Sequence, residues 1–317
     1  MDIAALKNRL KLPVIVSPMF LVSGSKLVSE CCINGIIGTF PSLNGRTSHD
    51  FERMLIEIEE ELAAYAKKTG DVPAPFGVNL IVNKTNPRLQ EDLEICIKHK
   101  VPLIITSLGA VKEIVDAIHA YGGIVFHDVI KKRHAEKALE AGVDGLIAVS
   151  AGAGGHAGTA NPFALMNEFR ELNPPSIVLA GAISNGNDIL AAQALGADFV
   201  YMGTRFIATE ESMASSDYKL MLTKSGIDDV IYTDSVSGVN ANFLIPSIQK
   251  AGIDLSQKKE EDFSKLNAEH SKAWKDVWSA GHGTTAVHSI SSVKVLIQKL
   301  EKEYYEAKNL IVNDDTP

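Results

Sequence analysis

The sequence predicts an α/β fold, a TIM (β/α)8 barrel with a smaller C-terminal excursion over the barrel mouth, and three observations predict it. Eight short apolar, β-branched runs recur along the first two-thirds of the chain. Stretches of helical pattern lie between them, an alternation that calls for parallel strands joined by crossover helices, and eight such units suit a closed barrel. The third observation is where glycine falls. An open doubly wound sheet places a glycine-rich phosphate loop after its first strand, whereas here Ser17, Pro18 and Met19 follow the first run and the glycine loops come late.

In order, the expected strands are residues 14–17, 35–40, 76–82, 103–107, 124–129, 144–150, 177–182 and 198–203. The run at 145–149, too short for an ordinary helix and ending in Ser150, reads as a buried strand. Helical pattern covers 49–68, 87–100, 111–121, 133–141 and 187–195, with a further helix expected in 209–222. Irregular sequence then runs from about 225 to 283. It is expected to pack over the barrel mouth as a lid, as a contact in a homodimer, or as both. An amphipathic helix over 291–308 returns to the barrel wall, and 313–317 reads as a frayed tail. Residues 1–224 and 284–317 are thus assigned to the barrel, and 225–283 to a smaller insertion.

Composition is that of an ordinary folded enzyme, with 45% hydrophobic and 22% charged residues. A formal net charge of −8 with no stripe of Lys and Arg argues against nucleic acid or an anionic membrane as partner. Cys31, Cys32 and Cys96 make neither a disulfide framework nor a zinc spacing. Cys31 and Cys32 stand side by side in a predicted helix and are expected to pack as small hydrophobes. Charged residues interrupt every apolar stretch of the N-terminus, no run approaches the ~20 apolar residues of a membrane span, and a cytoplasmic location is expected.

A barrel carries its chemistry at the C-terminal ends of its strands. Those ends hold Met19, Asn79, Ser107, His127 with Asp128, Ser150, Gly181 with Ala182, and Gly203 with Thr204. On a strand His127 and Asp128 point to opposite sides, so only one faces the barrel interior. After Ser150 comes a loop with Gly152, Gly154, Gly155 and Gly158 around one functional side chain, His156. Glycine there lets main chain approach a flat or charged ligand. No lysine stands at a strand end for a Schiff base, and no grouping of three His, Asp or Glu would hold a catalytic metal. A lone histidine among amides and glycines moves no electrons, so the difficult step needs a cofactor. The seventh and eighth strands each end in glycine, and such loops bind phosphate through backbone N–H groups. Trp274 and Trp278, four apart, are expected to pack rather than bind.

The motifs PM at Pro18 and Met19, GVNL at 77–80, AGGH at 153–156, AGA at 180–182 and MGTRF at 202–206 together resemble the nitronate monooxygenases, also called 2-nitropropane dioxygenases. The resemblance implies a TIM barrel with non-covalent FMN that oxidises alkyl nitronates, and in some cases neutral nitroalkanes, with O2 to a carbonyl compound and nitrite. His156 then matches the base that takes the α-proton. Met19 and Asn79 match positions beside the flavin, Gly154 and Gly155 the loop against it, and Ala180, Gly181, Ala182, Gly203 and Thr204 the phosphate cradle. His282, in the run AGHG, lies where relatives bring a loop toward the flavin and is a second candidate. Two departures matter. Some members have lysine where this chain has Asp128, and the second glycine after the seventh strand is Ala182 here. Either Asp128 points away from the substrate, or the natural substrate is not a simple nitronate. Two rival functions remain: an FMN-dependent NAD(P)H enoyl-acyl-carrier-protein reductase, whose family looks similar over the same motifs, and a flavin-free phosphate-binding isomerase or lyase.

Overall fold

Parallel strands with buried faces need apolar side chains on both sides, and the eight runs supply them. The computed structural model describes residues 2–83, 85–109, 111–236, 238–255 and 276–312. Its strands in chain order are β1 (Val14–Val16), β2 (Thr39–Pro41), β3 (Gly77–Ile81), β4 (Leu103–Ser107), β5 (Ile124–Val129), β6 (Gly145–Val149), the two-residue β7 (Gly155–His156), β8 (Ile177–Ala180), β9 (Phe199–Met202), β10 (Val230–Thr233) and β11 (Ala241–Leu244). All but β7, β10 and β11 form one parallel sheet in the order β1-β9-β8-β6-β5-β4-β3-β2. The sheet closes just before β2. Ile15 pairs with Ile37, whose N–H donates to Val14 O at 3.0 Å and whose carbonyl accepts from Val16 N–H at 2.8 Å.

The two faces of each strand feed separate layers. Ile15, Ile105, Ile124, Phe126, Ile147, Val178 and Phe199 fill the barrel interior. Val14, Ile104, Val125, Leu146, Leu179 and Val200 pack outward under the helices. Local chemistry sets the helix ends: Ser48–Thr69 starts at a capping box of Thr47 and Asp50 and stops at Gly70, whose φ is +81°. The last helix, Val293–Val312, lies along the helix Gly186–Ala194. Gly186 N–H donates to Glu303 Oε2 at 3.0 Å and Tyr304 OH to Gln193 Oε1 at 2.6 Å. A β-carbon on Gly186 would stand 2.1 Å from Tyr304 N, so only glycine lets these helices meet.

The structure corrects three expectations. The helix expected in 209–222 is confined to Ser216–Leu222, because Ser215 caps it there and Thr209 is drawn into a parallel bridge with Ser291. Helices Ile3–Lys7 and Pro162–Arg170 were not foreseen. The stretch after residue 225 is ordered where it is described: β10 and β11 are antiparallel, β11 pairs in turn with β7, and Ile245–Lys250 is helical. Trp274 lies outside the described residues. Trp278 stacks on Tyr218 with centroids 5.0 Å apart and planes at 11°, a packing role as expected. Cys31, Cys32 and Cys96 are buried free thiols whose ionisation burial disfavours, pushing Cys32 up to about 12. Among the described residues no helix is long and apolar enough to cross a membrane.

Candidate active site

Strand alternation decides which side chains reach the barrel mouth. Ile124 and Phe126 point inward and Val125 outward, so Asp128 faces the interior and His127 the helix layer. His127 is buried with Nδ1 2.7 Å from Thr106 Oγ1, and burial pulls its imidazole down to about 4. Asp128 ends a chain of polar contacts that crosses three strands. Asn79 Nδ2 donates to Ile105 O at 3.1 Å and to Ser107 Oγ at 2.8 Å, and the Ser107 hydroxyl donates to Asp128 Oδ2 at 2.5 Å. Asp128 Oδ1 and the Tyr201 hydroxyl are buried with no hydrogen-bond partner among the described residues. Burial raises the Asp128 carboxyl to about 6, against the opposing Ser107 bond. Burial raises Tyr201 well above the ordinary phenol, and the nearby Asp128 charge adds to it.

His156 stands on β7, outside the barrel sheet. Glycine makes that strand available: Gly155 has φ +69° and nothing within 4 Å of where a β-carbon would be. β11 runs antiparallel to it, with Ala241 opposite His156 and Asn242 opposite Gly155. Two side chains fix the flanks of the loop. Asn242 Nδ2 donates to Ala153 O at 2.6 Å, and Tyr232 OH to Ala157 O at 3.0 Å. The ring opens onto the cavity while the cavity walls shield it from bulk water. That withdrawal lowers its pKa below the ordinary imidazole value, which keeps the ring neutral.

These groups line one cavity of about 1690 Å3, together with Met19, Ala180, Gly181, Ala182, Gly203, Thr204, Gly154 and Gly155. Two candidates lie behind its wall. Ser150 is fully buried and its hydroxyl donates to Ala180 O at 2.7 Å, tying the end of β6 to that of β8. His282 packs on Gly152, with its N–H donating to Gly152 O at 2.9 Å, and supports the histidine loop from outside. Tyr201, Tyr232 and Asn242 were not singled out from sequence. The alternation of Phe199 and Tyr201 carried the signal for the first; the other two depend on pairing across long stretches of chain.

The residues present fit a flavin. Gly181 and Ala182 have successive positive φ values of +129° and +56°, and Ala182 is exposed to the cavity. Backbone concavities of this type bind anions. Next to them Gly203 precedes the helix Thr204–Ile207 with no side-chain cap over its N-terminus. Arg205, the next residue after Thr204, is buried with an Nη1 that has no partner among the described residues. Met19 Sδ would lie 3.6 Å from a β-carbon on Gly203, so an apolar side chain adjoins the cradle. Among the described residues no cluster of His, Cys, Asp or Glu could hold a metal.

Residues 87–303 match the family model for nitronate monooxygenase, more than half of the chain. The chain belongs to the nitronate monooxygenase family. It is 26% identical to the nitronate monooxygenase of Neurospora crassa over 313 residues, covering 87% of this chain and 82% of that protein. It is 25% identical over 230 residues to a Mycobacterium tuberculosis protein, (3aS,4S,5R,7aS)-5-hydroxy-7a-methyl-1-oxo-octahydro-1H-indene-4-carboxyl-CoA dehydrogenase, covering 72% of this chain. It spans only 61% of that relative's length. Among solved structures, the nitroalkane oxidase of Streptomyces ansochromogenes superposes with a TM-score of 0.82 at 22% identity, over 97% of this chain and 99% of that one, a likeness of fold.

Proposed function

We propose that this protein is an FMN-dependent nitronate monooxygenase, converting alkyl nitronates and neutral nitroalkanes with O2 to a carbonyl compound and nitrite. The observation that carries the reading is His156: an imidazole whose charged form burial disfavours, lining the same cavity as the loops at Gly181–Ala182 and Gly203–Thr204. Bound FMN would supply the electron acceptor and the reactivity toward O2. The loops at Gly181–Ala182 and Gly203–Thr204 would hold its phosphate, and Met19, Asn79, Gly154 and Gly155 would adjoin its ring. A neutral nitroalkane placed against the ring gives its α-proton to an imidazole nitrogen of His156, and the imidazolium then faces the nitronate charge. A preformed nitronate needs no such transfer. The test is an absorption spectrum of the purified protein followed by anaerobic propyl-2-nitronate and, separately, NADH. Flavin bands that bleach with the nitronate and not with NADH support the reading; bleaching by NADH alone, or no flavin, overturns it.

One observation favours a second reading, a flavin-dependent reductase or dehydrogenase of larger substrates. The cavity of about 1690 Å3 continues past the proposed flavin loops to Lys131, Lys132 and Lys137. The similar Mycobacterium tuberculosis protein carries a coenzyme A thioester in its name.

A further inference from the structure

The cavity is charged at two places that no part of the proposed chemistry uses. At its floor, Asp128 is the carboxyl on the barrel interior, with Oδ1 unpartnered and no cation among the groups that act on it. Along one flank, between the helices Lys132–Glu140 and Pro162–Arg170, run Lys131, Lys132, His134 and Lys137. A flavin phosphate seated at the ends of β8 and β9 leaves both places free.

The flank is basic on a chain whose net charge is −8. Lys131 and Lys137 are exposed, and neither makes an ion pair among the described residues. Lys132 reaches Glu171 at 3.6 Å, and Glu168 is the acidic side chain that shares this lining. His134 accepts from Arg133 Nε at 3.2 Å; partial burial first, then Arg133, Lys131 and Lys137, disfavour its charged form. Like charges gathered this way repel, so the free protein carries a cost that a bound anion relieves. Ile130 and Leu165 line the same cavity as His156 and these lysines.

The floor has the opposite preference. A small anion at the flavin would meet the Asp128 carboxylate in a site shielded from water, where repulsion is weakly screened. Since the strand alternation turns Asp128 inward, the space directly beside it favours an uncharged group over an anionic one.

Resting on the reading of the site as that of a flavin oxidoreductase, we infer that the cavity takes an elongated substrate or cosubstrate with an uncharged reacting end beside Asp128 and His156 and a phosphate-bearing tail along Lys131, Lys132 and Lys137. Two sources share that chemistry, a coenzyme A thioester and a reduced nicotinamide dinucleotide. Their tails are available separately.

The experiment is calorimetric titration of the flavin-loaded protein with adenosine 3′,5′-bisphosphate, which stands for the first tail, and with 2′-phosphoadenosine diphosphoribose, which stands for the second. One of them binds, identifying the source, and its affinity falls about tenfold in Lys131→Gln/Lys137→Gln, the scale of one lost charged contact. The same affinity in wild type falls several-fold between 0.05 and 0.3 M salt, a reading independent of any variant. No binding of either tail, or binding indifferent to both salt and the lysines, overturns the tail assignment. For the floor, nitrite serves as the small anion: Asp128→Asn is expected to bind it at least five-fold more tightly than wild type by flavin absorbance, and equal affinity overturns that half. Tail binding without bleaching by any nitro compound would sink the monooxygenase reading and leave this one standing.

Discussion

The barrel and the small sheet beside it obey the same pairing rules, yet they differ in what holds them and in what they hold. Barrel strands are buried on both faces and knit into two extended clusters, one inside and one beneath the helices. The sheet of β10, β11 and β7 rests on smaller clusters, one around Phe243, Ala241 and Val277 and one in which Trp278 and Leu244 meet Val22 and Ile207 from the segments after β1 and β9. The barrel fixes Asn79, Asp128 and the loops at Gly181 and Gly203, while the small sheet fixes His156. On the proposed function, the cofactor and the proton transfer are therefore positioned by different sheets, and substitutions should separate them.

The largest expected effect is on His156. His156→Asn keeps bound flavin, because the barrel holds it, and loses turnover of neutral nitroalkanes by about 10²–10⁴-fold, the usual range for a general base. Preformed nitronate is oxidised with far smaller loss. Steady-state rates on nitroethane and ethyl nitronate check this, and equal loss on both would remove the base assignment. Next come two matched core truncations, each costing about 3–5 kcal/mol. Phe126→Ala, inside the barrel against Phe199, should lower the main melting transition. Phe243→Ala should leave that transition near its wild-type value, abolish nitroalkane turnover and open residues near β10 and β11 to protease. A single shared shift in both variants would mean the two units unfold together.

The same division explains how much of the molecule the sequence made legible. Each barrel strand is an apolar run that announces itself locally, and all eight lie within a residue or two of expectation, apart from a shorter β2. Strand ends then locate Asn79, Asp128, Gly181 and Gly203 by topology alone. β7 has two residues and becomes a strand only by meeting β11 across more than eighty residues, information that no window of sequence contains. β10 and β11 pair locally, but at four residues each they are too short to stand out, so the stretch after residue 225 read as irregular. The side on which Asp128 falls needed only one fact, the register of β5, and once that is seen Tyr201 follows from Phe199.

The Asp128 carboxyl tests the barrel side by pH. Its folded-state value, about 6, lies above its ordinary 3.8. A group shifted upward favours folding when protonated, so the native state carries its cost above pH 6 and sheds it as pH falls toward 4. Asp128→Asn apoprotein should be more stable than wild type at pH 7.5 by the order of 2 kcal/mol, with the gap closing by pH 4. His127, held down to about 4, works in the opposite sense, losing stability as pH falls below its unfolded value. Melting of both proteins must therefore be compared at each pH, which cancels it.

The smallest expected effect falls on the link between the units. Asn242 is buried on β11 and its amide donates to Ala153 O, three residues before His156. Asn242→Ala removes that bond without touching β7–β11 pairing, at a cost of about 1 kcal/mol. If the bond holds the loop against the mouth, the loss appears as a several-fold lower kcat on neutral nitroalkane, with flavin affinity unchanged because the phosphate cradle sits on other strands. Nitronate turnover, which needs no proton transfer, should move less. Unchanged kinetics on both substrates would show that pairing of Ala241 with His156 positions the ring alone, and that the two units meet through backbone rather than through this side chain.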